Sequence, residues 1–462
     1  MVKPRYLLTV WFVALFLFGQ QAFITTSEFW PVTASRHLFD FSPNSLSLFF
    51  KPIFSTILFV FHLFPLTDTQ HLQWVKSLFA LNGALQIILL YLIFSYLSAG
   101  KKWLSIVLTV LFSISPYYLT NIYRIRSDQL ALTAFFVFIW INVRHFKFSS
   151  PWNILFLVLF PLIGFKHVYF SLLALCLIDI KKAYAATLSG FRYEKFYFWM
   201  LIMGLFVWTT NLGIKALPYL LNTFGTSGGD DFYKILKLNF LIIIVGTVGF
   251  LSASFRRYLK GHQQFNSIYM IILLLVILSL HPQKFDFFIA SLIPVFFITG
   301  GLLLIYLYER RRKLTTIILI FAFLFQLASL IEAQRYFPLY STDRTQLKTI
   351  GRIGETIAKH RLSYLDGVGL LPRQKNLGCF ISPDDFVSNS ACLNQIAKGI
   401  PDAIIVNPRL LSEMKSSELI DKSGYEEIGP NFHVKKNLIF DFKGENLTWD
   451  PPNLLFGAYF VY

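Results

Sequence analysis

Long stretches of nearly uncharged residues recur along this chain of 462 residues, and they are its most constraining feature. Runs of about 18–22 such residues match the thickness of the hydrocarbon core of a bilayer. The chain is 55% hydrophobic and 15% charged, whereas soluble domains carry about 25% charged residues. A water-soluble fold could not bury this much apolar surface. The sequence therefore predicts a polytopic membrane protein.

Alternation of apolar runs with basic loops predicts an all-α membrane domain over residues 1–332 with about eleven transmembrane helices. The expected spans are 6–24, 73–97, 104–121, 128–143, 152–165, 168–180, 197–217, 238–254, 266–280, 287–307 and 314–332. The two shortest, 152–165 and 168–180, fall below the usual lower limit of about 17 residues. They are either short spans or a re-entrant pair around Lys166-His167, and either arrangement predicts a polar role there.

Basic residues orient the chain. The loops assigned to the inside carry clusters such as Lys101-Lys102, Arg256-Arg257 and Arg310 to Lys313, and no outside loop has a comparable cluster. The positive-inside rule therefore predicts a cytoplasmic N-terminus. The same distribution explains the net charge of +17 without a nucleic-acid partner. An odd number of spans leaves the C-terminal segment outside the cytoplasm, and a bacterial inner membrane is the expected location.

The composition changes after residue 332, and residues 333–462 contain no further spanning run. Periodicity predicts helices over 343–359 and 408–419 and a buried strand over 403–406. We expect a small periplasmic α/β or α+β domain. Cys379 and Cys392 both lie in it, and an oxidising compartment permits a disulfide between them.

Ionisable residues gather at the predicted outside ends of the spans. Each could be an interfacial side chain that reaches water along its aliphatic stem. As a set, cations with a few carboxylates suit transfer from a lipid phosphate, because Arg and Lys stabilise the leaving phosphate and a carboxylate takes the proton of the incoming hydroxyl. The set comprises Glu28, Arg36, His37, Asp40, Lys51, Arg124, Arg126, Asp128, Lys166, His167, His281, Lys284 and Asp286.

Three segments carry most of this set. The first outside loop, 25–72, has Glu28 four residues after the first span and an amphipathic run over 53–66 that we expect to lie along the membrane interface. The second is the junction from Ser115-Pro116 to Arg124-Ile-Arg126-Ser-Asp128, with Ser127-Asp128 expected at a helix N-cap. The third is the hairpin from His281 to Asp286, followed by Pro294.

At these segments the chain resembles the GT-C superfamily of integral membrane glycosyltransferases. The hairpin His281-Pro-Gln-Lys284-Phe is similar to one in lipid-phosphomannose-dependent mannosyltransferases, and the phrase from Leu365 to Arg373 also suits bacterial members. The resemblance implies transfer of a sugar, with inversion, from a polyprenyl-phosphate donor to a glycan, lipid or protein acceptor. It also implies a GT-C-like fold and a site facing the periplasm.

The resemblance assigns roles to individual residues. Glu28 is the expected catalytic base, with Asp40 as a second carboxylate. The donor phosphate is expected to bind Arg124, Arg126, Lys166, His167, His281 and Lys284, supported by Lys51 and Asp128. In the family the first-loop acid commonly stands in a pair of acids, whereas here the pair reads Ser27-Glu28. Dependence on a divalent cation is therefore left open, and no nucleotide cofactor is expected because the chain has no phosphate-binding glycine loop.

Two other classes of protein remain open at this stage. A lipid or solute transporter or flippase would also carry charges at membrane depth, although the two halves of the chain show no inverted repeat. A non-catalytic scaffold in envelope biogenesis is compatible with the missing paired acid.

Overall fold

A computed structural model gives the architecture, which is mostly helical with one small sheet. The residues that it describes are 4–21, 24, 26–38, 51–146, 148, 150, 152–179, 203–204, 229–261, 267–280, 286–336, 344–366, 369–374, 394–405, 423–429 and 432–442. Contacts divide the chain into two compact units. The first unit comprises 1–19, 50–54 and 79–338, and the second comprises 20–49, 55–78 and 339–462. The expected domain boundary between residues 332 and 333 stays a prediction.

Fifteen α-helices are present in the described ranges. In chain order they are α1 Pro4–Gln21, α2 Thr26–Ala34, α3 Pro52–Val60, α4 Asp68–Leu97, α5 Lys102–Ser113, α6 Pro116–Asn121, α7 Ser127–Ile141, α8 Asn153–Ile163, α9 Val168–Leu177, α10 Gly229–Val248, α11 Ala253–Gly261, α12 Ser267–Leu280, α13 Asp286–Arg310, α14 Arg312–Tyr336 and α15 Arg344–His360. Short 3₁₀ turns follow α2, α3 and α10, and another, Phe165–His167, joins α8 to α9. A longer 3₁₀ helix spans Lys436–Phe442.

Three of these helices contain a segment that is long and apolar enough to cross a membrane. The segments are Asp68–Leu97, Leu292–Arg310 and Arg312–Glu332. A fourth is formed if Asn239–Leu251 and Ala253–Leu259, which meet at 89°, count as one bent span. These helices agree with a membrane protein. The described residues do not confirm the predicted number of eleven spans.

The expected span 104–121 is two helices, α5 and α6, and not one. Ser115 between them has an extended backbone (ψ 127°), and Pro116 begins α6. Proline lacks the backbone N–H that would continue the helix, and it disfavours helical geometry in the preceding residue. The Ser115 hydroxyl donates to Oδ1 of Asn239 at 2.7 Å, so a polar contact in the first unit accompanies the break.

A buried polar interface joins α4 to α7 within the first unit. Nε2 of Gln86 donates to the carbonyl of Gln129 at 3.0 Å and lies 3.0 Å from Oγ1 of Thr133. The Thr133 hydroxyl in turn donates to Oδ1 of Asn82 at 2.8 Å. Small residues and interhelical hydrogen bonds hold helices together where the surroundings are as apolar as their side chains. This interface fixes the first turn of α7.

The second unit contains a four-stranded sheet. Its strands are β1 Tyr364–Leu365, β2 Ala403–Ile405, β3 Tyr425–Gly429 and β4 Phe432–Lys435, in the order β1-β2-β4-β3. β1 and β2 pair in parallel, with Tyr364 opposite Ala403, and the remaining pairs are antiparallel. The strand predicted over 403–406 is therefore present, as the buried β2.

The helix predicted over 343–359 is present as α15, residues Arg344–His360. Its apolar positions Ile350, Ile353 and Ile357 are buried, at the spacing of one helix face. The chain leaves the helix at Arg361, whose φ of 52° is left-handed and ends the helical hydrogen bonding. The helix predicted over 408–419 lies outside the described residues.

Candidate functional site

An ion pair stands at the break between α8 and α9. α8 contains Pro161 and ends at Ile163, and the extended Gly164 and a 3₁₀ turn then lead into α9. The turn directs Lys166 toward α7, where Nζ lies 2.8 Å from Oδ2 of Asp128. The Asp128 side chain is only 2% exposed and that of Lys166 is 29% exposed. The two expected site segments, separated by 38 residues in sequence, therefore meet in the first unit.

His167 supports the same pair from inside the protein. Its Nε2 lies 3.1 Å from Oγ of Ser127, and its Nδ1 lies 3.3 Å from the hydroxyl of Tyr169 and 4.0 Å from Oδ1 of Asp128. Burial lowers the pKa of His167 to about 3, so the imidazole is neutral at physiological pH. We therefore interpret His167 as a hydrogen-bonding group that positions the first turn of α7.

Two further cations complete this site. Lys51 interacts electrostatically with Lys166, Asp128 and Arg126. Burial, together with the charge of Lys166, lowers the pKa of Lys51 to about 8. Burial also lowers the pKa of Lys166, although Asp128 opposes that shift. Lys51, Arg126, Asp128, Lys166 and His167 are hereafter called the cationic cluster, and all five belong to the first unit.

Gly164 allows the close approach of two members of the cationic cluster. A Cβ atom at this position would lie 3.0 Å from Cδ2 of His167 and 3.3 Å from Cγ of Lys51. Its φ of −177° is extended and is open to any residue, so the glycine is required for space and not for backbone conformation. The aliphatic stem of Lys51 thus packs over the helix break, which places this lysine beside the other members of the cationic cluster.

The expected N-cap at Ser127-Asp128 is wrong in its register. Both residues are already helical, and the N-cap is Arg126, whose side chain makes no capping hydrogen bond. The two side chains are instead committed to the cationic cluster, Ser127 to His167 and Asp128 to Lys166. The local sequence does not show that a helix cap and a tertiary contact compete for these two side chains.

Glu28, the expected catalytic base, lies in the second unit in the first turn of α2 and is only 1% exposed. Lys76 of α4, also buried, lies close enough to interact electrostatically with it. Lys76 is not among the site residues predicted from the sequence, although its position within an apolar helix could have indicated it. Apart from Asp68 at its start, α4 carries no other charged residue over thirty positions, and an ionisable residue within an apolar helix is a functional candidate by default.

The remaining expected site residues divide into two groups. Arg124 lies in the turn before α7, two residues before Arg126, and its side chain is partly exposed. The others, Asp40, His281, Lys284 and the disulfide candidates Cys379 and Cys392, lie outside the described residues. Among the residues with described positions, no group of three or more His, Cys, Asp or Glu side chains could hold a metal ion.

Comparison with known proteins adds no assignment. No family model, no curated protein and no solved structure matches this chain.

Proposed function

We propose that this chain is a membrane glycosyltransferase that moves a sugar from a polyprenyl-phosphate donor to an acceptor hydroxyl on the periplasmic face of a bacterial inner membrane. The acceptor belongs to a glycan, a lipid or a protein. The observation that carries the proposal is the cationic cluster, in which Lys166 is bonded to Asp128 and the charges of Lys51 and Arg126 lie close enough to interact electrostatically with the same carboxylate.

The charge of the cluster supports an anionic ligand. Asp128 is already bonded to Lys166, and no carboxylate in the described ranges forms an ion pair with Lys51. Lys51 is half-buried, and an anion beside it offsets the cost of removing its ammonium group in part from water. A phosphate supplies that anion and accepts charge-assisted hydrogen bonds from lysine and arginine together. The substrate phosphate would therefore offset the cost of desolvating these cations, which the protein bears when no ligand is bound.

The helix geometry favours the same ligand. Arg126 and Asp128 flank the start of α7, a helix of fifteen residues. The positive end of a helix dipole and its first N–H groups attract anions. A phosphate at this end would gain from the helix and from the three cations at once. The lipid tail of the donor would remain in the bilayer, which suits the apolar helices of the first unit.

In the proposed reaction Glu28 is the base, as the resemblance implies. Its carboxylate takes the proton from the acceptor hydroxyl, and the hydroxyl oxygen attacks the anomeric carbon from the face opposite the phosphate. The bond between the anomeric carbon and the phosphate oxygen breaks, and its electron pair leaves on the polyprenyl phosphate. Stabilisation of that departing charge is the role of Lys51, Arg126 and Lys166. The buried Lys76 lies close enough to Glu28 to interact electrostatically with it.

The test is sugar transfer by purified protein from a panel of radiolabelled polyprenyl-phosphate sugars, with wild type beside Glu28→Gln. Transfer by wild type and its loss in Glu28→Gln would establish the enzyme class and the role of Glu28. Transfer by both proteins would keep the class and move the base elsewhere, with Asp40 as the next residue to replace. Binding of the lipid phosphate without transfer from any donor would contradict the enzyme and support a flippase.

A further inference from the structure

A group of apolar side chains projects from the end of α3. The segment 60–66, hereafter the apolar tip, reads Val-Phe-His-Leu-Phe-Pro-Leu. Val60 is 42% exposed, Leu63 67% and Phe64 52%. Large apolar side chains so close together on a surface mark a contact with a partner or a membrane. The sequence predicts only that the run 53–66 lies along an interface, and it does not distinguish this end from the rest.

The backbone of the apolar tip is hydrogen-bonded by one side chain. Nη1 of Arg373 donates to the carbonyl of His62 at 2.9 Å, Nε donates to that of Leu66 at 3.0 Å, and Nη2 donates to that of Phe64. The carbonyls at the end of a helix have no partner within the helix. His62 lies in the last turn, and Phe64 and Leu66 follow it. A single guanidinium group bonds the carbonyls of all three residues, which therefore do not depend on water.

Arg373 is itself held in position within the second unit. Its backbone N–H donates to Oδ1 of Asp68 at 2.6 Å, and its carbonyl accepts a hydrogen bond from Nη1 of Arg36 at 3.1 Å. Nε2 of the next residue, Gln374, donates to Oδ2 of Asp68 at 3.1 Å. Because Asp68 begins α4, this network joins the C-terminal segment, the apolar tip and the start of that helix.

The chain leaves the apolar tip directly into a helix that could span a membrane. Only Thr67 separates Leu66 from Asp68, and Asp68–Leu97 is one of the three segments long and apolar enough to cross. Trp74, less than two turns into α4, is 59% exposed. Tryptophan is enriched at the level where a membrane helix meets the interface. These positions indicate that lipid is the solvent beside the apolar tip.

We propose that the apolar tip inserts into the lipid bilayer and that Arg373 makes this possible by bonding its backbone carbonyls. Non-helical backbone enters an apolar medium only at a large cost for each polar group that has no hydrogen-bond partner. An exposed apolar loop with unbonded carbonyls would therefore stay in water, whereas the apolar tip can enter the bilayer because Arg373 bonds its carbonyls. The tip anchors the second unit to the membrane at a point fixed by the beginning of α4, and this role does not depend on the proposed function.

The test uses the full chain in vesicles of phosphatidylcholine and phosphatidylglycerol, with a photo-crosslinking benzoylphenylalanine in place of Phe64 or Leu63. The control carries the same group in place of Lys348, an exposed residue of α15 in the same unit. Lipid adducts at 63 and 64 and none at 348 are expected. Adducts of 64 with a second copy of the chain, or the absence of lipid adducts at both tip positions, would overturn the proposal.

A second measurement isolates Arg373. An environment-sensitive fluorophore at position 64 should report a more polar surrounding in Arg373→Lys, because an ammonium group cannot bond three carbonyls in the fixed geometry of a guanidinium group. Lys348→Ala serves as the control for loss of a basic side chain. An unchanged emission in a folded Arg373→Lys variant would overturn the role of Arg373.

Discussion

Nζ of Lys166 lies 2.8 Å from Oδ2 of Asp128, which joins the break between α8 and α9 to the first turn of α7. This pair explains why a lysine can stand at an interruption between two apolar helices. Asp128 is the one carboxylate of the cationic cluster, and the proposed function assigns Lys51 and Arg126 to the substrate anion. In the proposed function, the pair of Lys166 and Asp128 holds the site in position, and Lys51 and Arg126 bind the substrate phosphate.

The first prediction concerns the stability of that pair. Asp128→Asn would remove the carboxylate of Asp128 from Lys166, Lys51 and Arg126, so we expect a loss of about 3 kcal/mol, as for a buried pair that loses one partner. Thermal unfolding of the purified protein in detergent measures it. The double variant Asp128→Asn with Lys166→Met should recover part of the loss. Equal stability of Asp128→Asn and wild type would contradict the burial of this pair.

The second prediction is a pH dependence of lipid-phosphate binding. The pKa of Lys51 is lowered to about 8, and a lysine is charged only below its pKa. Affinity for polyprenyl phosphate should therefore be full near pH 7 and fall by up to about tenfold for each pH unit above 8. The ligand does not change charge in this range, because the second pKa of a phosphate monoester is about 6.

Lys51→Arg is the matched control for that titration. Arginine stays charged throughout the range, so binding by this variant should remain nearly constant from pH 7 to pH 9.5. Titration calorimetry or microscale thermophoresis at fixed ionic strength gives the dissociation constants. A wild-type affinity that is as flat as that of Lys51→Arg would show that Lys51 does not contribute its charge to the ligand.

The third prediction tests the space at Gly164. Gly164→Ala should displace Lys51 or His167, because its Cβ would approach both side chains within 3.3 Å. Such overpacking costs about 1–3 kcal/mol, and we expect weaker phosphate binding together with the lower stability. Gly204→Ala is the control, since its Cβ would meet nothing within 4 Å. Wild-type affinity in a folded Gly164→Ala variant would contradict the close packing.

How far the sequence predicts this site can be judged from particular residues. Apolar runs and basic loops predict helices near the observed positions, since these signals are local. The residue types of the cluster, including Lys51, Arg126 and Lys166, are visible as interfacial charges. Their pairing is not visible, because it depends on how α7 meets the break between α8 and α9. The N-cap predicted at Ser127-Asp128 is wrong for the same reason. The contacts of these two side chains with His167 and Lys166 replace the capping hydrogen bond that the local sequence favours.

The fourth prediction concerns the second unit. Burial raises the pKa of Asp402, but hydrogen bonds from Ser363 and Lys435 outweigh it and hold the pKa below its usual value. A carboxyl whose pKa is lower in the folded protein than in the unfolded chain stabilises the fold at any pH above its pKa in the unfolded chain. This contribution is lost as the pH falls through the pKa of the carboxyl in the folded protein. Stability should therefore fall below about pH 4.

Asp402→Asn should cost about 1–2 kcal/mol at neutral pH, the contribution of hydrogen bonds to a partly exposed charged group. It should also reduce the acid dependence of unfolding, and thermal unfolding between pH 3 and pH 7 measures both effects. Lys398→Ala, at an exposed position in the same unit, is the control for an unrelated surface change. An acid dependence that is identical in Asp402→Asn and wild type would contradict this role.

The central claim is that the cationic cluster binds the phosphate of a lipid carrier. Its most direct test is the dissociation constant of a short-chain polyprenyl phosphate, compared with that of the same prenol without phosphate. Wild type is measured beside Arg126→Met and beside Lys101→Met, which removes an exposed lysine paired with Glu309. We predict that wild type and Lys101→Met prefer the phosphate by at least about tenfold and that Arg126→Met loses most of this preference. Equal binding of the phosphate and the alcohol by wild type would contradict the account.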